Sequence, residues 1–165
     1  MSTWTTLDTP FGPFTAVVDE DGAVLASGWT DTPDTLLPLV HPTLRPASVE
    51  RGRPGAVGEA VRAYHDGELS AIDAVPVRQR SGPFREHAWD VLRAVPAGAP
   101  VTYTEYAAKA GRPPAVRAAA AACARNAAAL FVPCHRVLRL DGSLGGFRWG
   151  LPVKQRLLAH EAPRA

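Results

Sequence analysis

The chain of 165 residues is long enough for one generous domain or two small ones, and no run in it approaches the roughly 18 apolar residues that crossing a membrane requires. Its two cysteines, Cys123 and Cys134, have no CxxC partner and no neighbouring His/Cys set at zinc spacing, and its five histidines are scattered, so no disulfide framework, metal site or cofactor is expected. The net charge of +2 hides an asymmetry: residues 1–81 carry 6 Lys/Arg against 11 Asp/Glu, residues 82–165 carry 12 against 5, and a basic half suits a polyanion, although surface charge alone also varies this much.

Met1-Ser2-Thr3-Trp4 is not a basic segment followed by an apolar one, so a soluble, cytoplasmic protein with no membrane partner is expected. Trp4–Leu7 and Pro10–Val18 read as a hairpin around a Pro/Gly turn. Asp21-Gly22 is a tight-turn signal, and Ala23–Trp29 after it is a third strand. Together they predict a small antiparallel sheet. Residues 30–53 are rich in Pro, Thr and Arg and read as loop with one helical turn. Val57, Ala60, Val61 and Tyr64 recur at helical spacing, and Gly67 stops that helix, which would cover the sheet. Residues 70–82 read as extended, with a turn and a domain boundary at Ser81-Gly82-Pro83.

Beyond the boundary the pattern is helical. Phe84, Ala88, Val91, Leu92 and Val95 form one stripe, ended by Pro96-Ala97-Gly98. Thr102 is placed to cap a helix over Tyr103–Ala110, with Glu105 at its positive end. Gly111 stops it, and Pro113-Pro114 opens a further helix running to about Arg125. Two short helices joined by a Gly-containing turn have the outline of a helix-turn-helix, which any helical hairpin shares. On the second helix Val116, Ala119, Ala120 and Cys123 form a candidate buried stripe. The face near Arg117, Ala118, Ala121 and Arg125 carries no long side chain except its arginines, so it could approach a groove closely. Alanine also favours helix for its own sake. Arg117 is suited to entering a base stack or meeting a phosphate, and equally to plain solvation.

In Phe131-Val132-Pro133-Cys134-His135-Arg136-Val137 one thiol stands between a proline-stiffened strand end and a His-Arg pair. The thiolate is the nucleophile, and a neighbouring base or cation raises its population. Cys-His adjacency by itself describes a buried, inert thiol more often than a reactive one.

Pro133-Cys134-His135-Arg136-Val137 resembles the active-site signature of the O6-alkylguanine-DNA alkyltransferases. Separated features agree with it: Val101-Thr102-Tyr103, Ala115-Val116-Arg117-Ala118, Asn126 eight residues before Cys134, and Leu157-Leu158-Ala159-His160-Glu161. The resemblance covers about Phe84 to Glu161 and, more loosely, Pro10-Phe11-Gly12-Pro13.

It implies an α/β N-terminal domain over residues 1–81 with a small antiparallel sheet, then a mainly helical C-terminal domain over 82–165 containing a helix-turn-helix. Its implied partner is double-stranded DNA carrying O6-alkylguanine, and the free protein is expected to be a monomer. Cys134 would accept the alkyl group, His135 would take the thiol proton through water, and Glu161 would hold the histidine. Tyr103 and Lys154 would help the guanine leave, and Asn126 would brace the turn. The base would be rotated out of the duplex, Arg117 would fill the gap, and Ala118, Ala121 and Arg125 would flank it. Val137, Phe147, Arg148, Trp149 and Gly150 would form the pocket, with Phe147 where the family usually has tyrosine. A non-catalytic binder of alkylated DNA and a helix-turn-helix regulator are the competing readings. Neither has a use for Cys134, His135 and Glu161 together.

Overall fold

In the computed structural model, which describes residues 1–163, β1 (Thr3–Thr9) turns through Pro10-Phe11 into β2 (Gly12–Val18), and Gly12 takes the positive φ of 111° that the turn demands. β3 (Val24–Gly28) follows the Asp19–Ala23 turn, where Asp19 accepts from the backbone N–H groups of Asp21 and Ala23. The sheet order is β3-β2-β1-β4, where β4 is the short strand Glu50–Arg51.

That fourth strand corrects the expected sheet: β4 runs parallel to β1, so the sheet is mixed and not purely antiparallel. The reason is close backbone approach. A Cβ on Gly52 would stand 2.8 Å from the Cβ of Thr3, and the Gly52 N–H donates to Trp4 O, so the returning chain lies flat on the free edge of β1. Residues 30–49 contain two short 3-10 turns, Pro33–Thr35 and Leu37–Leu39. α1 (Gly55–His65) buries Val57, Ala60, Val61 and Tyr64, the stripe read from the sequence. The segment expected to be extended after it begins instead with a 3-10 turn, Leu69–Ala74, that buries Ile72.

The chain divides into two compact units, Met1–Arg80 with Ala127–Phe131, and Ser81–Asn126 with the residues from Val132 onward. The five-residue insertion belongs to the first unit because Ser27 donates its hydroxyl to Ala129 O at 2.7 Å and Ala127 N–H donates to Gln79. The expected second domain ends at residue 165, and its last two positions lie outside the described residues.

The second unit is built on α2 (Pro83–Arg93), α3 (Tyr103–Lys109), α4 (Val116–Ala124) and α5 (Leu151–Glu161). A two-stranded parallel ladder joins β5 (Val101–Thr102) to β6 (Val137–Leu138). α3 starts at a capping box, in which Thr102 accepts from Glu105 N–H and the Glu105 carboxylate accepts from Thr102 N–H. α2 holds the next two helices through buried polar handles: Tyr106 donates to Ala88 O and Trp89 donates to Ala122 O. α4 begins at Val116, later than the Pro113-Pro114 start read from the sequence, because those prolines lie in a turn closed by Ala115 N–H to Arg112 O. Its buried residues are Ala119 and Ala122. Val116, Ala120 and Cys123 of the expected stripe are only partly covered. Among the described residues no helix is long and apolar enough to cross a membrane.

Candidate active site

Cys134 opens a single 3-10 turn, Cys134–Arg136, where the sequence suggested an extended strand end. The turn starts because Pro133 fixes the chain before it and Cys134 N–H closes back onto Val132 O at 2.8 Å. In an extended chain His135 and Arg136 would point to opposite faces. In the turn both reach one carboxylate at the end of α5. His135 Nε2 lies 2.7 Å from Glu161 Oε2, and Arg136 donates from Nε to Oε1 at 2.8 Å and from its terminal nitrogen to Oε2 at 3.0 Å. Arg136 also donates to Val95 O at 2.7 Å. All three side chains are buried. Gly98 lets the chain pass this point: at φ 80° it comes so close that a Cβ would sit 2.8 Å from Glu161 O.

The electrostatics of this cluster decide its protonation. Burial alone would raise the Glu161 carboxyl, but the hydrogen bonds and charges of His135 and Arg136 outweigh it and hold it down at about 2. An ionised carboxylate only accepts, so His135 Nε2 must donate. Burial pushes the His135 pKa down, and although Glu161 pulls it up, Arg136 has already compensated that carboxylate. Histidine is therefore neutral, with its proton on Nε2 and a lone pair on Nδ1. That Nδ1 is buried and has no hydrogen-bond partner among the described residues.

Around Cys134 lies a pocket of about 350 Å³, lined by Tyr103 from α3, by Ala120, Cys123 and Ala124 from α4, by Asn126, and by the wall Gly146-Phe147-Arg148-Trp149. Burial pushes the Cys134 thiol up, while a hydrogen bond from Asn126 and the charges of Lys154 and Arg148 pull it partway back. Asn126 also donates to Val132 O at 2.8 Å, tying together the two ends of the five-residue insertion. Tyr103 is pushed up to about 12, chiefly by burial, and so keeps its proton at neutral pH.

Phe147, Arg148 and Trp149 thus sit with Cys134, as do Tyr103 and Asn126. Val137 and Gly150 are not among the pocket's described lining residues. Val137 is buried in the β5–β6 ladder, and Gly150 caps α5 at a positive φ of 101°. Lys154 is fully buried, and its ammonium donates to the carbonyls of Val137 at 2.8 Å, Leu144, and Gly146 at 3.3 Å. Three acceptors occupy all three of its protons, so its geometry is that of an anchor for the pocket wall. Arg117 and Ala118 of α4 and Arg125, which caps its C-terminal end, are exposed, Ala121 is half-covered, and Ala124 joins the same face.

Sequence reasoning assigned no site role of its own to Arg136, nor to Ala120, Cys123, Ala124 and Gly146 of the pocket lining. The signal for Arg136 was its place beside His135, read only as a cation that favours the thiolate; its pairing with Glu161 depends on a residue 25 positions away. Among the described residues no group of three or more His, Cys, Asp or Glu could hold a metal ion.

Residues 83–163 match the family described as "6-O-methylguanine DNA methyltransferase, DNA binding domain". A methylated-DNA–protein-cysteine methyltransferase of Shigella flexneri is 35% identical over 156 residues, covering 93% of this chain and 91% of the relative. One from Mycobacterium tuberculosis is 35% identical over 164 residues, covering 97% and 92%. Among solved structures, the O6-methylguanine methyltransferase of Mycobacterium tuberculosis has a TM-score of 0.81 at 29% identity, covering 100% of this chain and 95% of that one. The same organism's OGT in complex with DNA has a TM-score of 0.79 at 29% identity, covering 98% and 95%. Similarity of this extent, together with a buried thiol beside a histidine and glutamate, means that the chain belongs to the methylated-DNA–protein-cysteine methyltransferase family.

Proposed function

We infer that this chain repairs DNA by moving an alkyl group, chiefly methyl, from O6 of guanine in double-stranded DNA to Cys134, once per molecule. The observation that carries the reading is the buried Glu161–His135 pair at 2.7 Å, whose Nδ1 has no partner among the described residues, next to a thiol that opens onto a pocket. A fixed tautomer with a free lone pair is what a general base needs.

His135 Nδ1 takes the Cys134 proton through a water molecule, and Glu161 and Arg136 hold the ring as it becomes charged. The thiolate attacks the alkyl carbon in line, a C–S bond forms, and the C–O6 bond breaks with its electron pair passing to guanine. Tyr103, protonated at neutral pH, donates a hydrogen bond to the departing base, and guanine ends neutral by taking up, through water, the proton that left Cys134 for His135. The product thioether has no easy leaving group, so the acceptor is spent after one transfer.

To reach the target atom the nucleotide leaves the stack. α3 and α4, joined through Gly111–Ala115, act as a helix-turn-helix with α4 in the groove. Arg117 fills the vacated space, Ala118 and Ala121 permit close approach, and Arg125 meets phosphate. Phe147 supplies stacking surface without a hydroxyl, and Lys154 holds the wall and supplies positive charge to the thiolate. The second unit is the DNA-binding and alkyl-transfer domain. Since every catalytic group comes from this one unit, the protein works as a monomer, in the cytoplasm.

The test is stoichiometry. Excess duplex carrying labelled O6-methylguanine should yield one labelled equivalent per chain and then stop, and Cys134→Ala should bind that duplex while leaving it unrepaired. Continued turnover, or repair by the alanine variant, would overturn the reading.

A further inference from the structure

Tyr103 lines the pocket, and its hydroxyl makes no hydrogen bond among the described residues. Beside it stands Arg139. A Cβ on Gly145 would lie 3.3 Å from the Tyr103 hydroxyl oxygen and 3.5 Å from Cγ of Arg139, so the phenol and the arginine flank one point of backbone that carries no side chain. Arg139 directly follows β6 and is exposed. A tight loop fixes its backbone: its N–H donates to Ser143 O at 3.0 Å, and its carbonyl accepts from Gly142 N–H at 2.9 Å. Its guanidinium has no hydrogen bond or ion pair among the described residues. Asp141, the acidic residue of that loop, turns its carboxylate onto the N–H and hydroxyl of Ser143. The two cations whose charge reaches the Cys134 thiol are already committed. Lys154 gives its protons to three carbonyls, and Arg148 donates to Ala124 O.

We propose that Arg139 is a positioning residue for alkyl transfer, whose charge beside Tyr103 strengthens the hydrogen bond that the phenol donates to the departing guanine. The proposal rests on the alkyl-transfer reading above. When Cys134 gives up its proton, a negative charge appears in the same pocket as a phenol whose own proton must shift toward the base. The thiolate opposes that shift. Ionised thiols at 123 and 134 push Tyr103 up, whereas Arg139 pulls it down. Arg139 is not among the residues that line the pocket, so it reaches the base through Tyr103 and not by contact.

An exposed arginine can also meet a phosphate of the duplex. Free O6-methylguanine base removes that effect, because it carries no phosphate. Methylation rates are therefore compared on the free base and on saturating methylated duplex, where affinity no longer limits the rate.

Arg139→Lys keeps the charge, Arg139→Met removes it at similar length, and Arg139→Glu reverses it. On both substrates the lysine variant should stay within about twofold of wild type, the methionine variant should be about three- to fivefold slower, and the glutamate variant slower again; this is the reach of one exposed charge. In a Tyr103→Phe background the methionine substitution should change the rate by less than about twofold, because the group it acts on is gone. Arg139 is exposed, so the variants should fold, and thermal melting verifies it. Methionine and glutamate variants within about twofold of wild type would overturn the role, as would a lysine variant as slow as the methionine one. A loss confined to the duplex, or one undiminished in the Tyr103→Phe background, would overturn it too. A wild-type protein that takes methyl from neither substrate would instead overturn the alkyl-transfer reading itself.

Discussion

At the scale of single residues, the account turns on how Arg136 and Glu161 together prepare His135. A histidine facing a lone buried carboxylate would be drawn toward its charged form, and a charged imidazole cannot take the thiol proton. The guanidinium fork compensates the carboxylate, so burial dominates and the ring stays neutral. The single-turnover rate should therefore stay level as pH falls through 6.5, the ordinary histidine midpoint, and decline only in more acidic solution. Arg136→Gln should move that decline to higher pH. A wild-type decline centred at or above the ordinary midpoint, unmoved by the substitution, would contradict this role. The glutamine variant should also lose on the order of 3–5 kcal/mol of stability, the cost of leaving one partner of a buried ion pair alone. Cys134, His135 and Glu161 were legible in the sequence because their spacing follows a family pattern. Lys154 followed from the same pattern as a helper of the leaving base, but its hold on the pocket wall did not, and neither did the pairing of Arg136 with Glu161, since both depend on burial and on groups contributed by distant positions. The lysine's three acceptors come from residues 137, 144 and 146, and no local pattern announces that all its protons are spent.

At the scale of elements, the helices were the most legible part because each carries its own punctuation. Thr102 and Glu105 form the capping box that their spacing suggested. Thr102→Ala should cost about 1 kcal/mol, read as a lower denaturant midpoint with an unchanged slope. The two-residue strands β4, β5 and β6 have no periodicity to read, so the parallel edge of the sheet and the β5–β6 ladder emerge only from tertiary pairing. The turn at Cys134 was hidden for a related reason: three residues cannot display a helical period, and proline favours several conformations after it. On α4, Arg117 is exposed beside Ala118 and Ala121, as a residue that fills a gap in stacked bases should be. Arg117→Ala should slow repair of duplex DNA by about tenfold or more, since unstacking costs a few kcal/mol per step, with a much smaller effect on free O6-methylguanine. Equal losses on both substrates would refute the stacking role.

At the scale of the whole molecule, two buried groups make stability depend on pH in one direction. The Glu161 carboxyl sits at about 2 in the folded chain against an ordinary 4.5, so the unfolded chain binds that proton first as pH falls. Its contribution is complete above about 4.5 and is lost on the way down to about 2, on the order of 3 kcal/mol in all. His135 is also depressed, so its contribution is complete above the ordinary 6.5 and starts to fall below it. Urea unfolding followed from neutral pH to about 4 should show a steady loss of stability, with a shallower acid slope below about 4.5 in Glu161→Gln. A level stability profile across that range would contradict the assignment of these charge states.

Whether Cys134 is the permanent acceptor is read from the intact and peptide mass of the protein after incubation with duplex DNA containing O6-methylguanine. One methyl group should be gained per chain, carried on the peptide that contains Cys134 and absent from Cys123. Unchanged mass despite DNA binding, or a methyl group on any other residue, would contradict it.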